Sequence, residues 1–151
     1  MRVFSSIDEL AASCGSVIGT SPWLRVNQEA INHFALASGD DQWIHVDVEK
    51  SASGPFGSTI CHGLLTLAIG QHLARQVYRV EGTLMGINYG LNRVRFPTPL
   101  HVNSNVRAEV QVNAVERAGE SWQVESRVTT YRDDVEKPVC VSEPITRLYL
   151  S

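Results

Sequence analysis

"HGLLTLAIGQHLARQVY", residues His62–Tyr78, is the stretch that decides the fold. Leu64, Leu65, Leu67, Ala68, Ile69, Leu73 and Val77 cover most faces of a helix written on it. A helix that is apolar nearly all round belongs inside a protein. It is too short, and too polar towards its end, to cross a membrane. The rest of the chain must therefore supply what covers it.

Downstream of Gly82 the apolar period changes to two. Val106, Ala108, Val110 and Val112 alternate with Arg107, Glu109, Gln111 and Asn113, and Trp122, Val124 and Val128 alternate with polar residues in the same way. These are half-buried antiparallel strands, joined by a hairpin turn at Arg117-Ala118-Gly119-Glu120. Leu84 to Phe96 reads as a long strand before them. Pro138 to Leu150 reads as a last strand, with Pro144 at an edge or a bulge. One apolar helix and a run of long strands pack well as a curved sheet wrapped around the helix. The expectation is an α+β fold, the hot-dog arrangement, as one domain over residues 1–151.

Upstream of the helix, Ser6 to Ala12 reads as a short helix capped by Ser6. Val17 to Val26 is mostly extended. Asn27 caps a helix from Gln28 to Ala37, which Ser38-Gly39 ends. Asp40 to Ser58 is irregular, and "SASGPFGS" at Ser51–Ser58 reads as a loop. Loops of such length in a compact domain often carry function.

The composition is that of an ordinary soluble protein, with 151 residues, 43% hydrophobic, 19% charged and a formal net charge of −3. No cluster of Lys and Arg points to nucleic acid. Asp8 and Glu9 interrupt any apolar signal core at the N-terminus. Cys14, Cys61 and Cys140 are odd in number and irregular in spacing, which suits reduced thiols in the cytoplasm better than a disulfide framework or a metal site.

Chemistry concentrates in "SGDDQWIH", Ser38–His45. Asp40 and His45 are suited to hold and deprotonate a water, since His exchanges protons near neutral pH and a partly buried Asp can share the task. Either alone is more often a solvated acid or a satisfied loop histidine. Gly63 opens the apolar helix, where an unpaired backbone N–H and the helix dipole favour negative charge.

Gly39-Asp40, Ile44-His45, Ala52 and Cys61-His62-Gly63-Leu64-Leu65 together resemble the R-specific enoyl-CoA hydratases, the MaoC-like dehydratases. A third landmark is Arg93-Val94-Arg95-Phe96-Pro97, and the resemblance runs from about Asn27 to the end. Gln42 stands where that family usually has Asn, Trp43 where it has Pro, and Asn103-Ser104 where Gly-Asp is usual. The resemblance implies hydration of a trans-2-enoyl-CoA to an (R)-3-hydroxyacyl-CoA, or the reverse dehydration. Asp40 and His45 would activate water, and the Gly63 N–H would form the oxyanion hole. The substrate would be a thioester of CoA or acyl carrier protein, with no cofactor beyond the CoA it carries and no metal. The resemblance also implies a homodimer whose sheets pair edge to edge.

Gln42 and Trp43 are expected to bear on substrate range. The Trp43 ring either lines the acyl tunnel, the orientation preferred here, or packs the loop onto the core. Arg93 and Arg95 either reach the CoA phosphates or stand as strand-surface charges. Asp41 and Asp47 read as solvated, and His62 as a structural residue that orders the loop before the helix. His33, His72 and His101 belong to no motif. Cys61, beside His62, reads as a buried thiol and not a nucleophile. An acyl-CoA thioesterase of the same fold is a rival reading. It needs a carboxylate on or opposite the central helix, and His62–Tyr78 carries no Asp or Glu. A non-catalytic acyl-binding or stabilising subunit is a third, which the presence of the Asp40/His45 pair disfavours.

Overall fold

A computed structural model describes residues 1–151. Strand Arg2–Phe4 (β1) leads into helix Ile7–Ala11 (α1), capped by the Ser6 side chain, which accepts from the Glu9 N–H. Strands Val17–Thr20 (β2) and Leu24–Arg25 (β3) precede helix Gln28–Ser38 (α2). Asn27 caps α2 through the Ala30 N–H, and Gly39 closes it at φ 75°, the left-handed backbone that glycine adopts without strain.

The stretch expected to be irregular holds two short helices, Trp43–Val46 (α3) and Val48–Ala52 (α4). Neither is long enough to write a helical period into the sequence. Asp47 is exposed, as expected, but it also caps α4 by accepting the Lys50 N–H at 2.9 Å. The apolar helix runs Gly63–Ala74 (α5) and stops short of Tyr78, which instead begins strand Tyr78–Val80 (β4). β4 pairs parallel with β1. Four long strands complete the chain: Thr83–Arg95 (β5), Asn105–Ala118 (β6), Ser121–Arg132 (β7) and Cys140–Leu150 (β8).

The main sheet is antiparallel in the order β2-β6-β7-β8-β5, with β3 also pairing β6. Its inner face buries Val106, Ala108, Val110, Val112, Val124 and Val128, and these join Leu73 and Val77 in one core. Gly70 is required where α5 meets the sheet, because a Cβ there would come 2.6 Å from the Thr130 hydroxyl. This is the hot-dog arrangement expected from the sequence. Pro144 departs from expectation in part. It lies on β8, an interior strand between β7 and β5. It faces Leu91, next to which the register of β5 slips before Val94, so a bulge in the neighbour accommodates the missing N–H.

α5 is not covered all round. Thr66, Gly70, Leu73 and Ala74 are buried, whereas Leu64 is 65% exposed. β5 forms one edge of the sheet, opposite β2, and is open along nearly its whole length, with Leu84 72% and Tyr89 63% exposed. No helix is long and apolar enough to cross a membrane.

Candidate active site

Gly39 releases the chain from α2, and Asp40 follows in an exposed, irregular stretch. The backbone carbonyl of Asp40 accepts from His62 Nε2 at 2.8 Å. A few residues on, α3 turns His45 inward, where it is 7% exposed. Its Nδ1 donates to the Ile60 carbonyl at 2.7 Å. A carbonyl can only accept, so Nδ1 carries a hydrogen, and in the neutral ring Nε2 is then the bare nitrogen. The same reasoning puts the hydrogen of His62 on Nε2.

The two imidazoles stack, with centroids 3.8 Å apart and planes 23° from parallel. A carboxylate oxygen of Asp40 and one ring nitrogen each of His45 and His62 lie within 4.8 Å of one another. Such a distance lets one water bridge an acid and an imidazole. It suits a metal ion less well, because lone pairs in nearly parallel stacked rings run side by side and do not converge on one point.

Residues that sequence reasoning did not single out hold this arrangement. Gln28, at the start of α2, donates from Nε2 to the His45 carbonyl at 2.7 Å and accepts from the Thr59 hydroxyl through its own carbonyl. The Ile60 N–H donates to the Ile44 carbonyl at 3.0 Å. Ile60 is thus tied to α3 through both its N–H and its carbonyl. Phe34 of α2 packs beside His62, its ring centroid 4.9 Å away. Gln28 and Phe34 lie on a helix already legible in the sequence. Nothing in their spacing to His45 or His62 marks them.

Gly63 begins α5, and its N–H makes no hydrogen bond within the chain. The ring of Phe96 lies against it, 3.1 Å from where a Cβ would stand. Gln42 is the exposed N-cap residue of α3 and forms no side-chain cap. Trp43 is turned towards its own loop. Its ring lies close against Gly54, beneath the Lys50 ammonium at 4.7 Å. Arg93 and Arg95 are brought together with Arg127 and Glu143 around a cavity of about 260 Å³ that shares no residue with the Asp40–His45 group. Burial pushes the Cys61 thiol up to about 11, against a smaller opposing effect of the Thr66 hydroxyl.

Two further concavities flank α5. One, of about 270 Å³, lies between its C-terminal half and the sheet, lined among others by Gln71, Ala74, Tyr78, Val128 and Leu148. The other, of about 450 Å³, is the groove between α5 and the free edge strand, lined by Leu64, Leu67, Ala68, Tyr89 and Leu91 among others. Gln71 and Arg75 border both.

The chain is similar to known proteins in sequence and in fold. The sequence model of the MaoC like domain matches residues 9–133. A protein of Mycobacterium tuberculosis named 3-hydroxyacyl-thioester dehydratase Z is 48% identical over 148 residues, 97% of this chain and 98% of that protein. Among solved structures, the unliganded R-hydratase of Pseudomonas aeruginosa superposes with a TM-score of 0.72 at 21% identity, covering 90% of this chain and 83% of that one. The (R)-hydratase of A. caviae gives 0.68 at 23% identity, covering 90% and 97%. At such identities these two structures speak to the fold.

Proposed function

The chain belongs to the MaoC-like dehydratase family of hydro-lyases, and we propose that it interconverts trans-2-enoyl and (R)-3-hydroxyacyl thioesters, using Asp40 and His45 to activate water. The observation that carries this reading is the juxtaposition of the Asp40 carboxylate with the His45 ring beside the N-terminus of α5. In the hydration direction, a water held between them gives a proton to the bare Nε2 of His45 while its oxygen bonds to C3. The carbon–carbon π pair moves towards C2, and negative charge collects on the thioester oxygen. The free N–H of Gly63 stabilises that charge through a hydrogen bond aimed where it develops. The proton then passes to C2, so that the elements of one water have been added.

The carrier is CoA or an acyl carrier protein. For the phosphates of either, the cationic cavity of Arg93, Arg95 and Arg127 offers charge-assisted hydrogen bonds. The concavity beside Gln71 and Ala74 offers room for an acyl tail. The free edge of β5, with its unpaired backbone groups and its exposed Met85, Ile87, Tyr89 and Leu91, supports pairing with a second copy of the chain.

The thioesterase reading lacks a carboxylate on α5, whose residues Gly63–Ala74 include no Asp or Glu. A spectrophotometric assay on crotonyl-CoA and a longer enoyl-CoA tests the proposal. Loss of enoyl absorbance without release of free thiol supports it. Released thiol points to the thioesterase, and no change in either signal overturns both.

A further inference from the structure

His62 contributes more than loop order. It is 2% exposed, donates from Nε2 to the Asp40 carbonyl at 2.8 Å, and stacks on His45. Its other nitrogen, Nδ1, is buried with no hydrogen-bond partner. The ring therefore offers its surroundings two things, the Nε2–H and a flat face. The N–H goes to one member of the water-activating pair and the face goes to the other.

The two members depend on it unequally. His45 has ties of its own, through Nδ1 to Ile60 and through its carbonyl to Gln28. Asp40 follows a helix-ending glycine, and its side chain makes no hydrogen bond within the chain. Its only other tie is local, from its N–H to the Ser38 hydroxyl at 3.3 Å. What fixes Asp40 against His45 is thus the Nε2–H of His62.

We propose that His62 is a positioning residue which, through its Nε2–H bond to the Asp40 carbonyl and its stack on His45, sets the distance across which the pair shares a water. The inference rests on the hydratase reading of Asp40 and His45. Misplacement of a reacting group by about 1 Å costs on the order of 10²-fold in rate, so the effect belongs in kcat.

Two variants divide the two contributions. His62→Phe keeps a flat ring and removes the donor. His62→Gln keeps a donor near Nε2 and removes the ring. Expected for His62→Phe is a kcat loss of about 10²-fold with KM within about threefold and a retained thermal transition; His62→Gln should recover part of that kcat. The decisive comparison adds His62→Phe to Asp40→Asn. A residue acting through Asp40 should cost little further once that carboxylate is gone, about threefold or less, because coupled residues are not additive. An equal loss in both backgrounds overturns the proposal and leaves His62 as part of the scaffold.

A measurement that needs neither activity nor a folded variant is the long-range proton–nitrogen spectrum of the histidine-labelled wild-type protein. It should show the Nε2–H tautomer at His62 and the Nδ1–H tautomer at His45. An Nδ1–H tautomer at His62 also overturns the proposal. If Asp40→Asn itself retains normal turnover, the pair mechanism fails, whatever tautomer His62 shows.

Discussion

Gly63 and Phe96 are in contact across the start of α5, with the Phe96 ring 3.1 Å from the position a Gly63 Cβ would take. The absence of a side chain at Gly63 thus makes room for a ring of this chain, besides any approach by substrate. Two substitutions separate that packing from the proposed oxyanion role. Gly63→Ala adds the Cβ and keeps the N–H. Gly63→Pro adds a similar bulk and removes the N–H, at the first helical position, where proline is tolerated. His62 before it is already at φ −56° and ψ 140°, the extended conformation a following proline requires. Both variants should destabilise modestly. Gly63→Pro should lose a further 10²–10³-fold or so in kcat, read by steady-state kinetics beside thermal melts. Equal kcat in the two variants removes the N–H from the mechanism.

Asp40 and His45 should respond differently to amide replacement. Each of Asp40→Asn and His45→Gln should lower turnover by roughly 10²–10⁴-fold. Asp40 is exposed, and its side chain has no partner, so Asp40→Asn should melt like the wild type. His45 is buried and satisfies the Ile60 carbonyl. A glutamine that leaves this carbonyl unpaired should cost about 1–3 kcal/mol. Denaturant titration alongside the hydratase assay checks both effects.

The strands and the long helix were legible because they bury one face or nearly all faces, and burial writes a period into the sequence. Val106 to Val112 is buried at every second residue, as read. α3 and α4 were not legible, since helices this short are held by caps such as Asp47 and by tertiary bonds such as Gln28 to His45. The Asp40–His45 pair was visible through its spacing and its likeness to a family signature. The ties through Gln28, Ile60 and Phe34 were not, because they join residues far apart in sequence whose types are common in any helix or loop. The packing of Trp43 on its own loop was not legible for a similar reason. Its neighbour Gly54 is reached only once the chain has folded through α4.

The thiols should follow their burial. Burial pushes both Cys61 and Cys140 up to about 11, so at neutral pH almost no thiolate is present to react. Cys14 is exposed. A disulfide reagent at neutral pH should modify one thiol of the native protein rapidly and all three only in denaturant. Inactivation that follows rapid modification of Cys61 would instead make it a candidate nucleophile.

Trp43→Pro tests how the departure from the family pattern is accommodated. The ring packs on Gly54 and carries the Lys50 ammonium, so its loss removes contacts that hold α3 to α4. The proline backbone itself is acceptable at the first position of a helix. The expected outcome is a lowered melting temperature, by roughly 2–4 °C for each kcal/mol lost. The ratio of kcat/KM for short and long enoyl-CoA substrates should stay as in the wild type. A changed ratio with an unchanged melt would mean that the ring reaches the acyl tail after all.

The free edge at β5 sets the last prediction. A long strand with unpaired backbone groups and exposed Leu84, Met85, Ile87, Tyr89 and Leu91 is a standing invitation to association. Beside it, the exposed Leu64 and Ala68 of α5 line an apolar groove, so the same association would cover the side of the central helix that the sheet leaves open. A second copy of the chain satisfies both needs through one contact, because a two-fold axis brings like edge to like edge. Sedimentation at micromolar concentration should therefore show a species of twice 16.7 kDa. Introducing like charges at Ile87→Lys and Tyr89→Lys should shift it towards the single chain, since charge on an edge strand opposes pairing. Only the 16.7 kDa species for the wild type would exclude the dimer. An undisturbed dimer in the doubly charged variant would move its interface away from β5.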